Sequence, residues 1–560
     1  MYTLKELGII DLAVELVDID EINEVGYKNT IDISVEDDET FVVNSIISHN
    51  SAKGSVMAGL SVIGREYYGA FPIRGKALNV RNAPTHKITQ NAEISNICKI
   101  LGLVPGKKYT SLDELRYGKI VFFTDNDLDG ISIKGLLINF FHIMFPELLD
   151  LGFCYEFLTP IIVAKKGKEK KSYYSLIDYE NDKHNLKDYK IKYFKGLGTW
   201  EPEEMKQIFK DLGKHLIKFN FNGETDDELI KMVFDKDYAD NRKEWLLNRD
   251  SKLLVKNGEV SIDDFFNNEF IEFSNYDNIR SIPSLVDGLK PSQRKIIYAS
   301  ILKNLKEEIK VAQFGAYTAE QTEYKHNEVS LQETIIKMAQ TFVGSNNINL
   351  LMPNGNFASR TNPDSAASPR YIYTELNKVF RYIYRKEDDC ILNYLEDDGK
   401  MIEPEYYFPI IPMILVNGTN GIGTGWSSDV LMYNPLDVIN NIKLKLNNKK
   451  LKDLMPYYRG FKGTIEKSDN GYISNAVYTK TKNGIHITEL PVNVYIEKYT
   501  THLNSLVTDK KIKSYIDNST DNDVNIQIIF NENTKLQHLN LTSKLSSNNM
   551  NLFDKYNKIK

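Results

Sequence analysis

Cysteine is scarce in this 560-residue chain: Cys98, Cys154 and Cys390 lie far apart and form no CxxC pair. That argues against a disulfide framework or a zinc site and fits a reducing compartment. Long apolar runs are lacking. No stretch reaches the roughly 18 consecutive apolar residues of a membrane-spanning helix. Acids run through the N-terminal MYTLKELGIIDLAVELVDID, which is therefore no signal peptide. No charge of one sign dominates. Against 70 Lys and Arg stand 76 Asp and Glu, a net of −6, so any nucleic-acid contact must come from local Lys and Arg placement. No internal repeat is found.

What is present is a chain able to bury several cores, with 42% hydrophobic residues and a length suggesting about three or four domains. The aromatics include 33 Tyr, so a lone tyrosine means little. Residues 1–50 alternate short apolar strands with acidic turns, and TIDISVEDDETFVVNSIISHN reads as two strands around Glu36 to Glu39. Composition changes at Ser51. Residues 51–215 read as an α/β domain. KIVFFT (119–124) suits a buried parallel strand, and ISIKGLLINFFHIMFPELL after it has helical spacing. Residues 216–259 are charged and read as a connector. Residues 260–404 read as mostly helical, and 405–560 mix strands with an Asn/Lys bias that reflects nucleotide composition more often than function. The expected fold class is multidomain α/β and α+β, with a short all-β segment at the start. The chain stops at KYNKIK without a closing element, so a continuation is expected.

The clearest chemical motif is TDNDLDG, Thr124 to Gly130. In an extended segment Asp125, Asp127 and Asp129 point to one side. Three converging carboxylates repel unless a cation neutralises them, and Mg²⁺ held by few carboxylates keeps positions open for phosphate oxygens. Phosphoryl transfer is the leading reading, and a solvated acidic turn is the bland one. An EF-hand loop would need Glu where Leu136 stands. KGLGT (195–199) and GIGTG (421–425) could let backbone N–H groups approach a phosphate, although turns are the commoner explanation. GIGTG follows the apolar run PMILVN, read as a strand. A dinucleotide fingerprint would need a helix at the glycines; WSSDVLMYNP intervenes, and Pro435 suits a helix start.

SAKGSVMAGLSVIGREYYGAFPIRGKALNVRNA (51–83), TDNDLDGISIKGLLINF, KYFKGLGTW and NRKEWL together resemble the metal-binding TOPRIM domain of eukaryotic-type and large-virus type II DNA topoisomerases. NIRSIPSLVDGLKPSQRK (278–295), FVGSNNINLLMPNGNFASR (342–360), PRYIYTELNKVFR (369–381) and PMILVNGTNGIGTGWSS (412–428) are similar to the breakage–reunion core of that family. The resemblance covers Ser51 to Lys560 in order. It implies a TOPRIM domain, a winged-helix breakage domain and an incomplete tower-like domain. It also implies a homodimer acting on double-stranded DNA, with Mg²⁺ as cofactor and ATP bound by an N-terminal domain outside this chain. Such an enzyme cuts both strands through a tyrosine, passes a second duplex and reseals. The residue matching the nucleophile is Tyr371, with Arg370, Arg280, His326 and Lys290 beside it. Around His326 the chain reads YKHNE where the family usually has YHHGE. Arg74, Lys76 and Lys195 match positions near the DNA and metal, and Ile422 matches an isoleucine that wedges between base pairs. The resemblance places the enzyme in the nucleus, the cytoplasm or a viral factory.

The family's TOPRIM domain begins Glu-Gly-Asp-Ser-Ala, whereas here Ser51 follows His49-Asn50. DISVEDDETFVVNSIISHN followed by Ser resembles the C-terminal end of an intein. The chemistry suits these residues: Asn50 can cyclise and cut the chain after itself, His49 can donate the leaving proton, and Ser51 offers a hydroxyl for ester exchange. The expected partner is an upstream polypeptide carrying the ATPase domain and the intein's N-terminal half. The TOPRIM glutamate is expected to arrive with it.

Overall fold

The computed structural model describes residues 52–64, 67–167, 169–174, 176–194, 196, 199–250, 256, 258–397, 399–469, 471–546 and 549–560, with the strands Val42–Val43 and Ile46–Ile47. His49, Asn50, Ser51, Lys195 and the Glu36–Glu39 turn lie outside the described residues. The chain divides into two compact units, one of residues 1–74 and 196–212, the other of 75–195 and 213–560. No helix among the described residues is long and apolar enough to cross a membrane.

In the smaller unit Val42–Val43 and Ile46–Ile47 pair antiparallel. Helix Pro202–Lys210 begins with proline at its first position, where a missing N–H costs nothing, and the Glu204 carboxylate accepts from the Glu201 N–H at 3.3 Å. Its buried face is Met205, Ile208 and Phe209. Gly59 of helix Ala52–Ile63 meets that face so closely that a Cβ there would lie 2.3 Å from the Phe209 ring.

In the larger unit the run KIVFFT supplies strand Ile120–Phe122, followed by helix Leu128–Met144 and the parallel strand Cys154–Phe157. The helix buries Leu137, Ile138, Phe140 and Phe141. It stops at Phe145, because the residue before Pro146 is pushed out of helical geometry. Two more strands complete the sheet. Leu216–Asn220 runs antiparallel to Cys154–Phe157, and Glu259–Ser261 runs parallel to Leu216–Asn220. Residues 216–259 are thus no connector. They supply a strand at the centre of the sheet and the helices Glu224–Phe234 and Ala239–Leu247, whose charges lie mainly on their solvent faces.

A buried ion network ties this sheet to its surroundings. Glu156, fully buried, accepts from Lys134 Nζ at 2.6 Å and from Lys256 Nζ, and Lys256 also reaches Glu269 at 2.5 Å. Burial pushes the Glu156 carboxyl up, but the two ammonium groups outweigh it and hold it below the usual carboxylate range.

The expected helical region is present as Ile271–Ser281, Pro291–Leu302, Val311–Gln321 and Glu328–Ala339. Its core includes Ile296, Ile297, Phe314, Leu331, Ile335 and Phe380. Arg294 grips the buried Asp287 with two nitrogens, at 2.8 and 3.0 Å, fixing the loop between the first two helices. Beyond residue 405 strands predominate. A four-stranded antiparallel sheet, in the order Val477–Thr481, Gly484–Glu489, Ile526–Ile529, Ser514–Asp517, shares a core with helix Ile496–Thr508. PMILVN, expected as a strand, forms the short helix Met413–Asn417. Helix Pro435–Leu446 starts at Pro435 as expected, capped by Asn434. The architecture is multidomain and mixed α/β.

Candidate active site

The acidic motif sits where strand Ile120–Phe122 gives way to helix Leu128–Met144. Asp127 is the N-cap of that helix; its side chain accepts from the Gly130 N–H at 2.7 Å, satisfying one of the first-turn donors. Gly130 is required sterically, since a Cβ would lie 2.1 Å from the Asp125 carbonyl oxygen. The helix therefore starts too early for the extended alternation expected of Asp125, Asp127 and Asp129. Asp129 is already in its first turn. Among the described residues no group of three or more His, Cys, Asp or Glu is disposed to hold a metal ion. Asp125 and Asp127 remain exposed at the strand end. That pair fits a magnesium ion, which is commonly held by one or two carboxylates together with phosphate oxygens.

Asp129 faces a different set of groups. Its Oδ1 lies 3.0 Å from Lys76 Nζ and 3.4 Å from Arg280 Nη2, and its Oδ2 lies 3.2 Å from His326 Nδ1. The His326 hydrogen bond, then Lys76 and Arg280, hold its carboxyl well below the usual carboxylate range against the opposing effect of burial.

Helix Ile271–Ser281 supplies the floor. Phe273, Tyr276, Asp277 and Arg280 follow the i, i+3, i+4, i+7 spacing of one helical face. Lys76 Nζ sits 4.5 Å from the Phe273 ring centre, and the Arg280 guanidinium 5.5 Å from that of Tyr276. The Tyr276 hydroxyl meets His326 Nε2 at 2.6 Å. Burial pushes the Tyr276 phenol up, with Asp129 and Asp127 adding to it against Arg280. Sequence reading missed Phe273, Tyr276 and Asp277; their spacing in EFSNYDNIRS was the available signal. Next to His326, the residues that depart from the family pattern have local partners. Lys325 pairs with Asp397 at 2.8 Å, and Asn327 caps helix Glu328–Ala339 by accepting from the Val329 N–H at 2.9 Å.

The GIGTG glycines form a β-hairpin between Thr419–Ile422 and Ser427–Val430, with no helix at the glycines. A Cβ on Gly421 would lie 2.2 Å from the Ser281 carbonyl oxygen, and one on Gly423 2.2 Å from Asn278 Oδ1. Asn278 Nδ2 donates to the Thr424 carbonyl at 3.0 Å, and Lys290 Nζ donates to that of Asn420 at 2.8 Å. With its two glycine neighbours pressed inward, Ile422 points outward and is 77% exposed. Lys290 thus braces the hairpin.

Tyr371 is 72% exposed. A turn closed by Tyr371 N–H to the Ser368 carbonyl at 2.9 Å presents it, and Ile372, buried at 1% exposure, anchors the chain beneath. Tyr373 is held in a two-residue strand against Ile309–Lys310. Arg370 is exposed beside the tyrosine. The structure brings together Lys76, Asp129, Arg280 and His326, but the Tyr371 hydroxyl makes no hydrogen bond with any of them. Arg74, in the smaller unit, is exposed.

The structure thus presents an exposed acid pair at a strand end, a basic cluster around a third acid, an outward isoleucine and an exposed tyrosine. Residues 280–560 match the DNA gyrase/topoisomerase IV family model, and residues 157–278 match the C-terminal associated domain of TOPRIM. The chain belongs to the type II DNA topoisomerase family. It is 46% identical over 510 residues to the mitochondrial DNA topoisomerase 2 of Dictyostelium discoideum, covering 89% of this chain and 40% of that protein. It is 43% identical over 578 residues to DNA topoisomerase 2 of Drosophila melanogaster, covering 96% and 39%. Among solved structures it is similar to the Plasmodium falciparum topoisomerase II DNA-binding, cleavage and re-ligation domain, with a TM-score of 0.70 and 44% identity. That match covers 91% of this chain and 73% of the other. The chain spans about two fifths of the length of the curated relatives it matches.

Proposed function

We propose that this chain is the DNA cleavage and resealing segment of an intracellular, ATP-hydrolysing type II topoisomerase that acts as a homodimer on double-stranded DNA. The observation that carries the reading is the exposed Tyr371 beside Arg370, on a chain that also gathers Lys76, Arg280 and His326 around Asp129. The Tyr371 phenol gives up its proton to solvent as its oxygen attacks a backbone phosphorus and a tyrosyl O–P bond forms. The P–O bond to one deoxyribose breaks, and that oxygen takes up a proton. Resealing is the reverse. One phosphodiester is exchanged for another, so the bond chemistry consumes no ATP, and ATP, bound outside residues 1–560, serves duplex passage. A free phenol ionises only near about pH 10, so the developing charge needs cations, and Arg370 and Arg280 are the residues proposed to supply them. Magnesium, when bound, stabilises charge on the phosphoryl oxygens; Asp125 and Asp127 are the residues that would hold it. Ile422 is the wedge that kinks the duplex, and Arg74, Lys76 and Lys195 are the residues that the family resemblance proposes for contact with DNA.

Residues up to Asn50 are proposed to leave by protein splicing, with Asn50 cyclising, His49 protonating the leaving amine and Ser51 accepting the upstream chain. The support is chemical: the His-Asn-Ser order falls where the family's Glu-Gly-Asp-Ser-Ala would stand. The second reading is a DNA-binding or dimerising fragment without catalysis of its own.

One experiment separates the two. The chain is mixed with a polypeptide carrying the ATPase domain, Glu-Gly-Asp and an intein N-terminal half, and the product is incubated with supercoiled plasmid and magnesium, then denatured. The first reading predicts a ligated protein that has lost residues 1–50, together with linear DNA bearing protein at its ends. Bound but intact plasmid supports the second. Mass spectrometry that finds Asn50 still joined to Ser51 removes splicing.

A further inference from the structure

The His326 ring is held from four sides. Nδ1 lies 3.2 Å from Asp129 Oδ2, and Nε2 lies 2.6 Å from the Tyr276 hydroxyl oxygen. The Tyr276 and Tyr324 rings flank it at centroid distances of 5.7 and 5.3 Å. Tyr324 is itself fixed, its hydroxyl 2.7 Å from Ser330 Oγ. A carboxylate only accepts, so the nitrogen facing Asp129 must carry a hydrogen. A phenol can donate, and the short contact to Nε2 then requires a lone pair on that nitrogen. In a neutral imidazole the bond made by one nitrogen decides which tautomer the other presents.

We propose that Tyr276 is a positioning residue of this site: its hydroxyl locks His326 as the Nδ1–H tautomer, with that hydrogen on Asp129. The inference deepens the proposed function and rests on it for its consequence in cleavage; the tautomer itself does not. With both ring nitrogens engaged, the imidazole orients. It fixes one oxygen of Asp129 and leaves the other to Lys76 and Arg280, so the two cations stand at a set place beside the acid pair. Tyr276 contributes twice, since its ring also carries the Arg280 guanidinium. The residue sits one helical turn before Arg280 on the same face of Ile271–Ser281.

The test is nitrogen NMR on the 560-residue chain with ring-¹⁵N histidine. The chain has 9 histidines, and a His326→Asn sample identifies the pair of signals that vanishes. The expected result is a protonated Nδ1 and an unprotonated Nε2. Tyr276→Phe keeps the ring but removes the donor. The two signals should then move toward each other as the Nε2–H tautomer becomes populated. Tyr324→Phe, which removes only the bond to Ser330, should leave them in place and serves as the packing control. A wild-type Nε2 in the protonated range, or signals that Tyr276→Phe does not move, overturns the proposal. The same variant in the spliced enzyme should cleave about tenfold less DNA, as expected when a residue that orients an active-site group is lost. Converged signals with full cleavage would support the tautomer lock and count instead against His326 in the proposed function.

Discussion

Asp129 Oδ2 lies 3.2 Å from His326 Nδ1, while the other oxygen of the same carboxylate takes Lys76 and Arg280. The third acid of TDNDLDG is therefore engaged by bases from three separate segments, and the motif divides into a pair suited to a cation and a single acid that organises cations. This division predicts two kinds of failure. Asp125→Ala and Asp127→Ala should each lower cleavage on the order of a hundredfold at limiting magnesium, with partial recovery as magnesium rises. Asp129→Ala should lower cleavage without any recovery. Magnesium titrations of the three variants check this, and recovery by Asp129→Ala alone would reverse the division.

The buried network around Glu156 gives a stability prediction. Glu156→Gln leaves Lys134 and Lys256 buried without their shared anion, and breaking such a network costs about 3–5 kcal/mol. The folded carboxyl is held below its ordinary value. Its contribution is therefore complete above the unfolded value of about pH 4.3 and is lost as pH falls through the folded one. Urea midpoints should show the same deficit at neutral and mildly acidic pH and a smaller one only below about pH 4. A deficit that changes between neutral and mildly acidic pH contradicts the assignment.

The hairpin at Ile422 separates wedge from scaffold. Ile422→Ala removes an exposed side chain, so stability should change by no more than about 0.5 kcal/mol while duplex bending, read by energy transfer between end labels, falls. Gly421→Ala forces a Cβ against the Ser281 carbonyl and should destabilise by about 1–3 kcal/mol. Unchanged bending in Ile422→Ala would remove the wedge.

Several of these features were legible in the sequence. The strand at 120–122 and the helix start at Pro435 follow from local chemistry: an apolar run before an acidic turn, and a proline placed where a helix can begin. Three features were not. Charged residues around 224–228 and 236–244 masked a central strand at Leu216–Asn220, because solvent-facing helices on either side dominated the composition. PMILVN, a short apolar run, reads alike as strand or buried helical turn. The early helix start at Leu128, set by the Asp127 cap, turned Asp129 away from its neighbours, an outcome that spacing in an extended chain cannot reveal. Tyr276 became significant only when folding set it against His326.

The most direct test of the central claim is to map the DNA-linked residue. The chain, joined to the proposed upstream polypeptide, is incubated with duplex DNA and magnesium, denatured, digested with nuclease and protease, and the nucleotide-bearing peptide sequenced by mass spectrometry. The account predicts a nucleotide on Tyr371, and no adduct from Tyr371→Phe although that variant still binds DNA. A nucleotide on Tyr373 or any other residue, or a normal adduct yield from Tyr371→Phe, would contradict it.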